Sequence, residues 1–174
     1  MAANPELIEA PLTQEDLAER YRKLCADPLL ANLPGKIELD LWGRILMSPA
    51  SNIHGALQIR LGQRLAPLGG QAIAEASVVT SIGLLVADVA WASAEFMRAH
   101  GTETPFARAP ELCIEIASPS NSVKELREKV AAYLAAGALE AWTVYPQSKR
   151  FEFFGKGGAL EPSSYTIDLV GLFD

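Results

Sequence analysis

Two carboxylates stand inside apolar runs of this 174-residue chain, positions where an uncompensated charge is expensive to bury. Asp88 interrupts Leu84-Leu85-Val86-Ala87-Asp88-Val89-Ala90-Trp91. Glu115 interrupts Leu112-Cys113-Ile114-Glu115-Ile116-Ala117, which runs into Ser118-Pro119-Ser120. Lys129 follows on a segment of helical periodicity that continues into Tyr133. Two acids and a lysine are side chains that together serve a hard divalent cation and a polarised water. Asp88 and Glu115 are the candidate metal ligands, and the carbonyl of Ile116 offers a further oxygen. The expected ion is magnesium, with manganese as its alternative. It would lower the pKa of a bound water and neutralise charge on a phosphodiester, while Lys129 orients or deprotonates that water or stabilises developing negative charge. A structural Glu115–Lys129 ion pair with no metal is the competing reading of the same residues.

The surrounding pattern indicates how these groups are carried. Thr13-Gln14-Glu15-Asp16 forms a capping box ahead of Leu17, Tyr21 and Leu24, which predicts a helix over about 13–25. Asp27-Pro28 ends it, and Asn32 to Gly35 form a turn. Lys36 to Asp40 and Arg44 to Ser48 read as strands. Ser51 and Asn52 then cap a second helix with the stripe Leu57, Leu61, Leu65 and with His54 one turn upstream on the same side. Ile73 to Thr80 and Leu84 to Trp91 read as a hairpin, followed by a short helix near Ala94 to His100 and the Glu115 strand. Ser122-Val123-Lys124-Glu125 is another capping box, opening a helix closed by Gly137. Its buried face carries Leu126, Val130 and Tyr133, with Lys129 at one edge and Arg127 at the other. Ala141 to Tyr145, Arg150 to Phe154 and Tyr165 to Leu169 supply the last strands.

Interleaved helices and strands, with central strands apolar on both faces, predict an α/β (α+β) fold in which helices flank a mixed central β-sheet. Residues 1–34 read as an N-terminal helical extension and 35–174 as the main domain, within a single globular domain overall. Composition is that of a globular protein, 49% hydrophobic and 21% charged. No stretch approaches the roughly 20 apolar residues of a membrane span, and the start lacks the basic and apolar regions of a signal peptide. Cys25 and Cys113 imply no disulfide framework. A cytoplasmic location follows as the expectation. The net charge of −6 argues against coating nucleic acid by bulk electrostatics, though not against local contact with a backbone.

The segments Gly43 to Ala50, His54-Gly55, Ala87-Asp88-Val89, Glu111 to Ser120 and Glu128 to Trp142 together resemble the Uma-two restriction-endonuclease family, a branch of the PD-(D/E)XK nuclease superfamily. The resemblance runs from about Gly35 to Phe154, and its most specific part is Glu115-x-x-Ser118-Pro119-Ser120 followed by Lys129, Tyr133, Gly137 and Trp142. It implies a restriction-endonuclease-like fold and a magnesium-dependent site acting on DNA, with Asp88 as the motif aspartate, Glu115 as the second acid and Lys129 as a lysine moved from strand to helix. Ala87 replaces the usual proline, and Ala117 stands where the standard motif has its lysine. The resemblance also makes His54 a contact to substrate phosphate or to the metal ligands. Double-strand cutting by such enzymes takes two sites, so a homodimer is in keeping with it. The alternative, a catalytically silent domain acting in binding or assembly, would have lost at least one of the three site residues, and all three are present.

Arg127, with Arg60, Arg64, Lys124, Lys149 and Arg150, offers contacts to a nucleic-acid backbone or simply a solvated surface. Glu38 and Glu75 are candidate further acids for the site, but read first as surface strand residues. Cys113 reads as a small core side chain. Ser118 and Ser120 read as a turn, since no histidine is placed to activate them.

Overall fold

Each helix begins where a hydroxyl side chain takes up its free N–H groups. Thr13 and Ser122 form full capping boxes with Asp16 and Glu125, and Ser51 and Ser93 accept from the N–H groups of His54 and Phe96. The structure, a computed structural model, describes residues 10–30, 35–49 and 51–174. The expected turn at Asn32 to Gly35 therefore lies, apart from Gly35, outside the described residues. The order is α1 (Gln14–Ala26), β1 (Lys36–Asp40), β2 (Ile45–Ser48), α2 (Asn52–Leu65), β3 (Gln71–Thr80), β4 (Gly83–Ala92), α3 (Ala94–His100), β5 (Leu112–Ile116), α4 (Val123–Ala135), β6 (Glu140–Tyr145), β7 (Arg150–Gly155) and β8 (Gly158–Leu160).

Among the described residues the eight strands form one mixed sheet, in which only β5 and β6 run parallel. One face packs under α4 and α3, through Val130, Tyr133 and Phe96. The other is covered by α1, where Leu17 meets Leu39, Leu84 and Val86, and by α2, where Leu57, Leu61 and Leu65 meet Val89, Ile114 and Trp142. The helix over residues 14–26 thus belongs to the packing of the sheet. No helix among the described residues is long and apolar enough to cross a membrane.

Strand β4 organises the sheet. Along one edge it pairs with β3 over its whole length. Its other edge is divided: β1 takes Gly83 and Leu84, and β5 takes Val89, Ala90 and Trp91. Neither strand pairs with residues 85–88, so β1 and β5 fork apart there. At the same level the alternation of side chains slips. Leu85 and Ala87 share a core cluster with Ala90 and Ala92, so parity changes across Asp88. On β3, opposite, Glu75 adopts a left-handed φ of 54°, rare for a residue with a side chain, between the pairs Ala74–Val89 and Ala76–Ala87.

One expected element is different. Tyr165 to Leu169 do not form a strand; β7 pairs instead with β8, a short return closed through Lys156 and Gly157. The alternating Tyr165, Ile167 and Leu169 pack onto the α2 face of the sheet without strand pairing. Arg60 and Arg64 of α2 hold the tail by donating to the carbonyls of Leu172, at 3.0 Å, and Val170, at 2.7 Å, and so are structural rather than freely solvated. Leu61→Ala is expected to cost about 2–5 kcal/mol in denaturant unfolding, whereas Ile59→Ala, two residues away but 63% exposed, should change stability by under about 0.5 kcal/mol.

Candidate active site

The fork opens into a cleft of about 530 Å³ whose walls include Asp88, Glu115, Lys36, Lys129 and His54. Each acid is held by one strand and by two residues one turn apart on one helix. Asp88, on β4, accepts from the Ile116 N–H through Oδ2 at 2.7 Å, while Oδ1 lies 3.2 Å from His54 Nε2. Gln58, one turn after His54 on α2, donates to the Asp88 backbone carbonyl at 3.1 Å and to the Glu75 carboxylate. Glu115, on β5, shares a face with Cys113 and points toward α4 as strand alternation requires. Tyr133 donates its hydroxyl to Glu115 Oε1 at 2.6 Å, and Lys129, one turn earlier, sits 3.5 Å from Oε2.

Two further participants complete the site. Glu38, expected on the surface, is buried; both its oxygens take Lys129 at 2.8 Å, and Oε1 also accepts the Val86 N–H at 2.9 Å. It is drawn inward because the fork leaves Val86 without a strand partner on that edge, and an unpaired buried N–H is costly. Lys36, unremarked in the sequence, places its ammonium 2.8 Å from Asp88, 3.4 Å from Glu115 and 3.7 Å from Glu38. The available signal was Lys36-Ile37-Glu38, which puts two charges on one side of a strand whose middle residue faces the other way.

Ile116 contributes its N–H to this network. Arg127 does not line the cleft: it pairs with Glu152 at 3.0 Å and stacks over Phe154 at 4.2 Å, on the wall of a separate cavity. Glu75 does lie at the rim of the cleft and is exposed, as expected.

The electrostatics follow from burial opposed by charge. Burial pushes the Asp88 carboxyl up, but the hydrogen bond from His54 and the positive charge of Lys36 prevail and hold it at about 2. Glu115 goes the other way: its burial, assisted by repulsion from Asp88, outweighs Lys36 and Lys129 and raises it. Burial depresses Lys36, yet Glu115, Asp88 and Glu38 overcome this and raise it, so it stays an ammonium. His54 is raised chiefly by its hydrogen bond to Asp88, against the effect of burial.

Three carboxylates thus face two lysines and a histidine. Asp88 and Glu115 converge on one cation, Lys36, at hydrogen-bonding distance. That convergence of hard oxygen donors on one positive centre beside an open cleft fits a magnesium-type ion, which takes one or two carboxylates and completes its shell with waters and substrate phosphate. Among the described residues no three His, Cys, Asp or Glu side chains form an all-protein cage, so any such ion rests on the two acids and on ligands from outside the chain.

Residues 18–170 match the Uma2 family, described as putative restriction endonucleases, and the chain belongs to that family. Among solved structures it is similar to a putative nuclease belonging to DUF820 from Anabaena variabilis ATCC 29413, with 19% identity over 82% of this chain and 94% of that one and a TM-score of 0.56. That likeness confirms the expected fold class. No curated protein matches the chain. Family membership supports a nuclease function in general.

A group whose native pKa is raised contributes its full stabilisation below the unfolded value and loses it as pH climbs through the native one. His54→Gln should therefore lower the Tm most below about pH 6.5, the ordinary value for histidine, with the deficit shrinking at higher pH. A deficit that stays constant from acid to alkaline pH would show that the His54 charge is immaterial.

Proposed function

We propose that the chain is a metal-dependent endonuclease that hydrolyses DNA phosphodiester bonds with magnesium or manganese as cofactor. The observation that carries this reading is the convergence of Asp88 and Glu115 on one cationic centre, with the Lys129 ammonium 3.5 Å from the same Glu115 oxygen. Asp88 and Glu115 would hold the ion, which supplies Lewis-acid polarisation of a water and charge neutralisation at phosphate.

The chain's own residues supply the rest. Glu38 grips Lys129 through both oxygens and fixes its ammonium at the cleft, where it can donate to the attacking water or to a non-bridging phosphate oxygen. Tyr133 takes one Glu115 oxygen, leaving the other turned toward the lysines. His54 steadies Asp88 at the cleft wall and is within reach of a phosphate bound there. Cutting both strands would use two copies of the chain, one site for each strand.

Cleavage of supercoiled plasmid with manganese or magnesium tests the reaction. Asp88→Asn, Glu115→Gln and Lys129→Ala should each reduce nicking by about 10²-fold or more while leaving circular dichroism unchanged. Millimolar manganese should raise the Tm of the wild type and not of Glu115→Gln, because a ligand of the native state stabilises it. A wild type with no shift, beside a Glu115→Gln that merely melts earlier, would instead identify a structural ion-pair cluster.

A further inference from the structure

We infer that Lys36 is a built-in counter-ion whose ammonium occupies the divalent-cation position between Asp88 and Glu115, so that the metal binds only as Lys36 withdraws into the cleft. The inference rests on the metal-site reading above and concerns how that site is filled.

Among the described residues, Lys36 is the one cation in contact with all three of the acids Asp88, Glu115 and Glu38, at 2.8, 3.4 and 3.7 Å. Lys129 reaches only Glu38 and Glu115, and His54 only Asp88. A magnesium or manganese ion bound to Asp88 Oδ1 would sit about 2.0–2.1 Å from it. Lys36 Nζ already stands 2.8 Å from that oxygen and 3.4 Å from Glu115 Oε2, so an ion held by both acids would compete with the ammonium for the space between them. Both cannot stay there: burial leaves little solvent to screen their repulsion, with the lysine side chain only 11% exposed.

The two lysines differ in how firmly they are held. Both oxygens of Glu38 bind Lys129 at 2.8 Å, which ties it to one place. Lys36 has one short contact, to Asp88, and two longer ones. It also has somewhere to go, because it lines the open cleft beside Gly35 and Ser48 at the start of β1, on a flexible four-carbon stem. A phosphate bound in the cleft would receive the withdrawn ammonium. Metal affinity is therefore low in the free protein and rises with substrate, which limits cutting by a metal-loaded enzyme to occupied sites.

The test is a calorimetric titration of the full chain with manganese, for wild type, Lys36→Met and Lys36→Gln, with thermal melting of each in parallel. Removing the competing charge should tighten manganese binding about tenfold or more. The variants should melt earlier than wild type without metal, since three acids then face Lys129 and His54 alone, and manganese should restore their Tm by more than it raises that of wild type. Lys36→Gln keeps a donor for Asp88 and carries the comparison if Lys36→Met does not fold. Manganese affinity equal to or weaker than wild type in a folded variant would overturn the inference while leaving the metal site standing. No manganese binding by wild type or either variant would remove the site reading itself, and the inference with it.

Discussion

The divided edge of β4 is the constraint on which the rest of the structure depends. A strand edge has one row of backbone groups to satisfy, and here β1 and β5 each take one end of it. The four positions between them lie too deep for water to replace the missing partners freely, and carboxylates stand in. Glu38 accepts from Val86, and Asp88 accepts from Ile116. The same fork that breaks the ladder makes the cleft. Buried acids and an opening in the sheet are therefore two aspects of one topological fact.

Having drawn acids inward, the fold must neutralise them, and it does so from both faces. α2 brings His54 and Gln58 to Asp88 from one side, while α4 brings Lys129 and Tyr133 to Glu115 from the other. Each helix uses a pair one turn apart at the edge of its apolar stripe, so packing of Leu57 and Leu61, or of Leu126 and Val130, sets the position of the polar pair. Lys36 completes the balance from β1. Burial favours the protonated form of both acids: at Asp88 it is overcome by His54 and Lys36, whereas at Glu115 it outweighs Lys36 and Lys129, so one pKa falls and the other rises.

Such a cluster is poised rather than inert. The cluster faces an open cleft and concentrates charge at a single point. Buried charges of this kind contribute little net stability over apolar packing, so their presence is better understood through what they can bind. The family to which the chain belongs gives the same direction.

Much of this was legible in the chain alone. The caps and stripes of α1, α2 and α4 are local patterns that burial of an apolar face enforces, and all three helices form where Thr13, Ser51 and Ser122 open them. Asp88, Glu115 and Lys129 stood out because charges in apolar runs demand partners, and the structure brings all three to one cleft. Tertiary structure alone decided the rest. Tyr165, Ile167 and Leu169 alternate like a strand, but no free sheet edge receives them, since β8 occupies the edge of β7. Glu38 looked like a surface residue, and Lys36 drew no notice, because strand alternation assumes an unbroken ladder, and the fork breaks it. The one-residue slip at Asp88 and Glu75 is likewise invisible to a period of two. The sequence determined which elements form and which acids need explaining, because those are short-range matters of periodicity and charge. Which cations meet the acids was settled by strands and helices up to 91 residues apart, where only the assembled sheet defines a neighbour.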